Sequence, residues 1–259
     1  MVKNMIKLVL VTGATSGIGK ATATIFAKNG YNLIITGRRE DRLDELKSKL
    51  KKKYAVKIKT LVFDIQKLSA VKKAIKSLEG DWSQIDVLVN NAGLALGLDP
   101  IQNGNITHWD TMLDTNVKGL LYMTRLIAPQ MVERKKGHII NICSTAGKDI
   151  YPNGAVYCAT KSAVDMLTKG MRLDLYKHGI KVSQVSPGMV EETEFAITRF
   201  EGDEKKADIY SDFQPLTSKD VAETILYVAT RPNHVNIQDV LMMSVQQAGS
   251  NFVDRSGKK

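Results

Sequence analysis

Apolar residues fall along this chain in short, β-branched runs that alternate with longer stretches in which apolar positions recur every three to four residues. The short runs, at 6–12, 32–36, 56–63, 87–89, 138–143, 181–185 and 240–243, predict strands. The longer stretches, at 17–29 and 39–53 and at about 67–79, 107–134, 155–178 and 219–230, predict helices. Most of the strands lack polar alternation, as expected where both faces are buried. The pattern therefore predicts an α/β protein whose parallel sheet is covered by helices on each side. Right-handed crossovers make it doubly wound, with about seven strands and a ligand crevice at their carboxyl ends.

Composition narrows this picture. The 259 residues, 43% hydrophobic and 25% charged, suit a single domain spanning 1–259. No internal repeat, low-complexity tract or Pro/Gly-rich linker divides the chain. No apolar run approaches the roughly 18 residues of a membrane span, which argues against a membrane partner. Residues 1–7 lead straight into a strand-like run rather than a signal peptide. Two cysteines, Cys143 and Cys158, form no disulfide framework and read as small thiols in a reducing cytoplasm. The net charge of +10 suits anionic cofactors and acidic substrates. Nucleic acid is not expected, because no aromatic-basic interleaving or recognition helix accompanies that charge. His108, His138, His178 and His234 lack metal-ligand spacing, and no metal is expected.

The first candidate chemistry lies in the turn after the first strand, Thr12-Gly13-Ala14-Thr15-Ser16-Gly17-Ile18-Gly19. Glycines there permit a tight turn and close backbone approach to a pyrophosphate. The following helix offers free N–H groups and the positive end of its dipole. Sites for a dinucleotide with a free 2′-hydroxyl usually carry an acid about 20 residues further on. Here the second strand instead ends Gly37-Arg38-Arg39. Two guanidiniums suit the 2′-phosphate of NADP through charge-assisted, bidentate hydrogen bonds. Asp64, ending the third strand, is a candidate acceptor for the adenine amino group and equally a strand-end cap.

A second constellation is Tyr157-Cys158-Ala159-Thr160-Lys161. Four residues apart on a helix, Tyr157 and Lys161 share a face. An ammonium near a phenol favours the phenolate, so the pair can move a proton onto or off an oxygen.

The glycine loop, Asn90-Asn91-Ala92-Gly93 after the fourth strand, and Tyr157-x-x-x-Lys161 stand in the order found in the short-chain dehydrogenase/reductase family, which this chain resembles over nearly its whole length. The resemblance implies a Rossmann-type fold and hydride transfer to or from NADP(H). It also implies a catalytic set of Asn116, Ser144, Tyr157 and Lys161. Ser144 would hold the reacting oxygen, Tyr157 exchange its proton, and Lys161 lower the phenol pKa and grip the nicotinamide ribose. Asn116 would hold a water leading to solvent. Asn91, Ala92 and Gly93 would line the cofactor floor, with Pro187, Gly188 and Val190 beside the nicotinamide.

Four further stretches resemble the NADP-dependent 3-hydroxy acid dehydrogenases, a subgroup acting on serine, L-allo-threonine and related acids. They are Gly93-Leu94-Ala95-Leu96-Gly97, Pro187-Gly188-Met189-Val190 with Thr193-Glu194-Phe195, Arg199-Phe200-Glu201-Gly202-Asp203, and His234-Val235-Asn236-Ile237. The doubled Glu191-Glu192 departs from one form of the subgroup pattern. The polar, poorly periodic segment at about 190–212 is expected to be a mobile lid. Arg199 within it is the first candidate to anchor a substrate carboxylate, and Lys148, four residues after Ser144, the second. The resemblance implies a homotetramer. The alternative activity is a carbonyl or 3-oxoacyl reductase acting on a larger substrate.

Overall fold

Each strand expected from the hydrophobic pattern is present in the computed structural model, which describes residues 8–258. Residues 6 and 7, at the expected start of the first strand, lie outside the described residues. The chain runs β1 (Leu8–Val11), α1 (Gly17–Lys28), β2 (Asn32–Gly37), α2 (Glu40–Lys53), β3 (Ile58–Val62), α3 (Leu68–Lys76) and β4 (Val87–Asn90). It continues through α4 (Ile106–Leu113), α5 (Leu120–Arg134), β5 (Gly137–Ile142), α6 (Ala155–Leu175) and β6 (Ile180–Pro187). The last part holds β7 (Val190–Glu191), α7 (Phe195–Arg199), α8 (Glu204–Ala207), β8 (Leu216–Thr217), α9 (Ser218–Ala229) and β9 (Asp239–Met242).

Seven strands form one parallel sheet in the order β3-β2-β1-β4-β5-β6-β9. Alternate residues of the central strands feed two separate cores, which explains their lack of polar alternation. Val9, Val11, Leu33 and Ile35 pack under Phe26 of α1, Leu46 of α2 and Ile225 of α9. Leu8, Leu10, Ile34 and Leu88 face the other way, against Val71 of α3 and Met123, Ile127 and Met131 of α5. Strand order reverses at β1, which pairs with β2 on one side and β4 on the other. A crevice therefore opens beyond the ends of β1 and β4, where the glycine loop and Asn90-Asn91 lie.

Two expectations need correction. The helix expected over 107–134 is split by a π-helical segment, Asp114–Gly119, between α4 and α5. One widened turn keeps the apolar periodicity nearly intact, so the pattern does not reveal it. The segment at about 190–212 also holds more regular structure than its polarity suggests. It contains α7 and α8, and β7 pairs with β8 in a small parallel ribbon. Helices of five and four residues are too short to show a period, and tertiary contacts create them. Within this segment the doubled acid places Glu192 at a left-handed φ of 58°. Among the described residues, no helix is long and apolar enough to cross a membrane.

Candidate active site

The glycine loop and the end of β4 are stitched together by Thr12 and Asn91. Thr12 Oγ1 accepts from the backbone N–H of Asn91 at 3.0 Å and Ala92 at 2.9 Å. Asn91 Nδ2 in turn donates to the Thr12 carbonyl at 2.8 Å. Gly13 adopts a φ of 66°, and a Cβ there would meet Ala92 Cα at 2.9 Å. A Cβ on Gly19 would come within 2.2 Å of the Gly13 carbonyl oxygen, so this glycine lets α1 press onto its own loop. Ser16 caps α1 without a side-chain hydrogen bond, and no acid stands in the first turn. The helix thus presents free N–H groups and a positive end, an anion site in the making.

A cavity of about 720 Å³ runs from this loop to α7. Gly13, Thr15, Ser16, Gly17, Ile18, Arg38, Arg39 and Asp64 line one end. Asn91, Ala92 and Gly93 line it further along, with Ser144, Tyr157, Lys161, Pro187, Gly188, Val190 and Arg199 toward α7. Asp64 Oδ1 accepts from Gln66 N–H at 3.0 Å, so the strand-end cap is real and one oxygen is used by it. Gly19, Asn116 and Lys148 do not line the cavity.

The two arginines differ. Among the described residues Arg38 makes no ion pair, and it lines the cavity end. Arg39 Nη2 instead donates to Thr15 Oγ1 at 2.8 Å and to Glu194 Oε2 at 2.8 Å. Arg42, one turn on along α2, grips the other oxygen of Glu194. Hydrogen bonds from Arg39, and from Arg42 and Ser16, hold the Glu194 carboxyl down to about 2, so it stays charged. A carboxylate from the segment before α7 thus occupies a cationic pocket beside the loop. Neither Arg42 nor this use of Glu194 follows from sequence spacing, because 152 residues separate them.

At the other end, Ser144 follows β5 and receives the Ala146 N–H on Oγ at 3.2 Å. Tyr157 and Lys161 project from the first turns of α6, and both are buried. Lys161 Nζ donates to the Ile142 carbonyl at 3.0 Å and lies 6.0 Å from the Tyr157 ring centre. Burial pushes the Tyr157 phenol well above its usual value, aided by Tyr151; a hydrogen bond from Ser144 and the Arg199 charge pull it back. Burial pulls the Lys161 ammonium down. The residue expected to act on the phenol was Lys161; the cation among the leading influences is Arg199 instead.

Asn116 sits on the π segment, and both hydrogens of its amide are used. Nδ2 donates to the Leu94 carbonyl at 2.8 Å and to Thr160 Oγ1 at 3.0 Å, while Oδ1 accepts from Leu94 N–H at 2.9 Å. The side chain thereby fixes the Gly93-Leu94 turn against α6. The amide hydrogens are thus committed, and only the second lone pair of Oδ1 is left to accept from a water. Gln247 is another residue that motif reading misses: its Oε1 accepts from Met189 N–H at 2.9 Å and braces the Pro187-Gly188 turn from the far end of the chain.

The two candidate anchors are separated by their partners. Lys148 is corrected: its ammonium is committed to Asp165 and Asp239, away from the cavity. Nearness to Ser144 in sequence is undone by the intervening 3₁₀ turn, Thr145–Gly147. Arg199, on α7, is 8% exposed, and its Nε donates to the Gly97 carbonyl at 3.1 Å. Its guanidinium lies 5.2 Å from the Tyr151 ring centre and 5.7 Å from that of Tyr157. Among the described residues it has no carboxylate partner. A buried cation without a counter-ion is costly, and a cavity wall is where a ligand can supply one.

Comparison with known proteins places this geometry. A family model described as short chain dehydrogenase matches residues 7–204. The chain is 47% identical over 242 residues to the NADP-dependent 3-hydroxy acid dehydrogenase YdfG of Salmonella typhi, covering 93% of this chain and 96% of that one. It is 44% identical to sulfoacetaldehyde reductase 2 of Chromohalobacter salexigens, covering 97% of this chain and 100% of the relative. Among solved structures, the closed form of serine dehydrogenase complexed with NADP⁺ superposes with a TM-score of 0.89 at 45% identity, covering 95% of this chain and 98% of that one.

Proposed function

The chain belongs to the short-chain dehydrogenase family, and from that premise we propose that it is an NADP-dependent oxidoreductase acting on small 3-hydroxy acids of the serine, L-allo-threonine or 3-hydroxypropionate type. When bound, the nicotinamide ring supplies the hydride-accepting and hydride-donating chemistry. The rest falls to the chain's own side chains. Free N–H groups at the start of α1 suit the pyrophosphate, and Arg38, unpaired among the described residues, suits the 2′-phosphate. Gly93 leaves room beside Lys161 and Asn116, since a Cβ there would stand 3.2 Å from Asn116 Oδ1. Ser144 holds the substrate oxygen. Tyr157 takes its proton during oxidation and returns it during reduction, a phenol poised between burial and the Arg199 charge. Lys161 adds a buried ammonium behind it, and Asn116 keeps the floor of the site in register with α6.

The observation that carries the substrate class is Arg199. It is buried, lacks a carboxylate partner among the described residues, and lies beside the ring that exchanges the proton. An acid one carbon from the reacting centre fits such a pair. Malonic semialdehyde and sulfoacetaldehyde both place an anionic group one methylene from an aldehyde carbon. The sulfoacetaldehyde reductase relative therefore fits the same anchor geometry. A larger hydrophobic acyl substrate would have to bury this cation unpaired. The test is an assay of NADPH absorbance against 3-hydroxy acids, their semialdehydes, sulfoacetaldehyde and neutral ketones. Good turnover of hydrophobic ketones with none of the acids would support the carbonyl or 3-oxoacyl reductase instead.

The segment around 190–212 is read as the substrate lid, carrying Arg199 and covering the loop through Thr193, which a Cβ on Gly17 would meet at 3.1 Å. The whole chain acts as a single domain in the cytoplasm. A homotetramer is supported by apolar residues left exposed at seven-residue spacing on two helices, Ile106 and Leu113 on α4 and Met166 and Leu173 on α6.

A further inference from the structure

Beside the Arg199 guanidinium stands one donor to which the chemistry above gives no role. Tyr151 lines the cavity, and its hydroxyl is buried with no hydrogen-bond partner among the described residues. Buried hydroxyls are almost always satisfied, so an orphan on a cavity wall marks a place where a ligand completes the bonding. We propose that Tyr151 is a second substrate-positioning residue, whose hydroxyl donates a hydrogen bond to the same carboxylate that Arg199 holds. The proposal rests on the 3-hydroxy acid reading and deepens it.

The local structure holds this ring in place. Tyr151-Pro152-Asn153-Gly154 forms a turn closed by the Gly154 N–H donating to the Tyr151 carbonyl at 3.2 Å. Gly154 presses flat on the ring: a Cβ there would stand 2.0 Å from Tyr151 Cε2. Its φ of −101° is open to any residue, so the glycine is required for space rather than conformation. On the ring's other contact, the Arg199 guanidinium lies 5.2 Å from the centroid. Burial, first among the causes, pushes the Tyr151 phenol up, and it therefore remains a donor at neutral pH. Arg199 touches both phenols, which divides their labour. Tyr157, beside Ser144, faces the reacting oxygen, and Tyr151 faces the acid group one carbon away. Two donors from different elements fix the carboxylate in angle as well as distance, which sets the reacting carbon in line for transfer.

The test uses Tyr151→Phe, which keeps the ring, its packing on Gly154 and its contact with Arg199. The KM for 3-hydroxypropionate and the inhibition constant of propionate are each expected to rise roughly tenfold or more, the loss of one charge-assisted hydrogen bond. The preference for the acid over a neutral alcohol of the same length should fall with them. NADP⁺ affinity, followed by protein fluorescence, reports whether the fold is intact. Gly154→Ala, which displaces the ring without removing the hydroxyl, should raise the same two constants. If Arg199→Met abolishes the preference for acids while Tyr151→Phe keeps it at the wild-type level, the role of Tyr151 is overturned and the substrate class stands. If the wild-type enzyme shows no preference for acids at all, both fall together.

Discussion

At the scale of single residues, the site is a contest between burial and a few well-placed charges. Tyr157 is pushed up by burial and drawn back by the Ser144 hydrogen bond and the Arg199 charge. Oxidation consumes the phenolate form, so its rate should climb with pH through the neutral and alkaline range. Arg199→Met removes a cation that favours the phenolate, and the climb should move to higher pH. A neutral alcohol as substrate keeps the lost anchor out of the measurement, and a move to lower pH would contradict the assignment. Tyr157→Phe should nearly abolish turnover while cofactor binding, followed by fluorescence titration, persists. At the opposite end, Glu194 is an internal carboxylate on Arg39 and Arg42, where a 2′-phosphate would seek the same cations. Glu194→Gln should therefore tighten NADP⁺ binding more than NAD⁺ binding. Arg38→Ala should weaken NADP⁺ by about tenfold, the scale of one charged hydrogen bond. Calorimetric titration of both nucleotides checks the pair, and unchanged selectivity in both variants would refute the pocket.

Secondary-structure elements matter here for what they carry into the core. β5 brings His138 into a fully buried position, where Nε2 meets Ser183 Oγ of β6 at 2.8 Å and Ser183 donates to Asn236 at 3.0 Å. Burial, with the Lys181 charge adding to it, holds the imidazole down at about 3, against 6.5 for an ordinary histidine. Below pH 6.5 the unfolded chain takes up a proton here that the folded protein refuses. The stability from this residue is thus complete above pH 6.5 and is lost as pH falls toward 3, at up to about 1.4 kcal/mol per pH unit. Denaturant melts between pH 7 and pH 4 should show that slope, and His138→Gln should flatten it. The π segment is the other element with consequences. Its widened turn seats Asn116 where the amide can clamp Leu94 and Thr160 together.

For the whole molecule, the parallel sheet keeps its own apolar surface inside, yet α4 and α6 leave large side chains outside. Met166 is 64% exposed and Leu173 74% exposed, one heptad apart on the same face of α6. Such a stripe suits a symmetric partner of the same kind. Light scattering at micromolar concentration should give the mass of four chains. Met166→Glu combined with Leu173→Glu should reduce it, and a monomeric wild type would refute the assembly. The net charge of +10 belongs to this scale too. It gives the crevice a positive surrounding field, so association with an anionic cofactor or acid should slow as salt rises.

What the sequence determined by itself was everything that rests on local pattern. Burial on both faces made the strands unbroken apolar runs, so the doubly wound sheet was legible from residues such as Leu33, Ile34 and Ile35. Loop chemistry at Gly13–Gly19 and the helical spacing of Tyr157 and Lys161 are likewise contained within a few residues. Tertiary structure decided the questions that depend on which distant groups meet. Lys148 and Arg199 are both cations near the site in motif terms; only packing shows Asp165 and Asp239 claiming the first and nothing acidic claiming the second. The clasp of Glu194 on Arg39 and Arg42, the brace of Gln247 on Met189 and the orphan hydroxyl of Tyr151 arise the same way. The short helices α7 and α8 and the π segment belong with them, because one turn of helix carries too little local preference to specify itself and takes its form from the surfaces it touches.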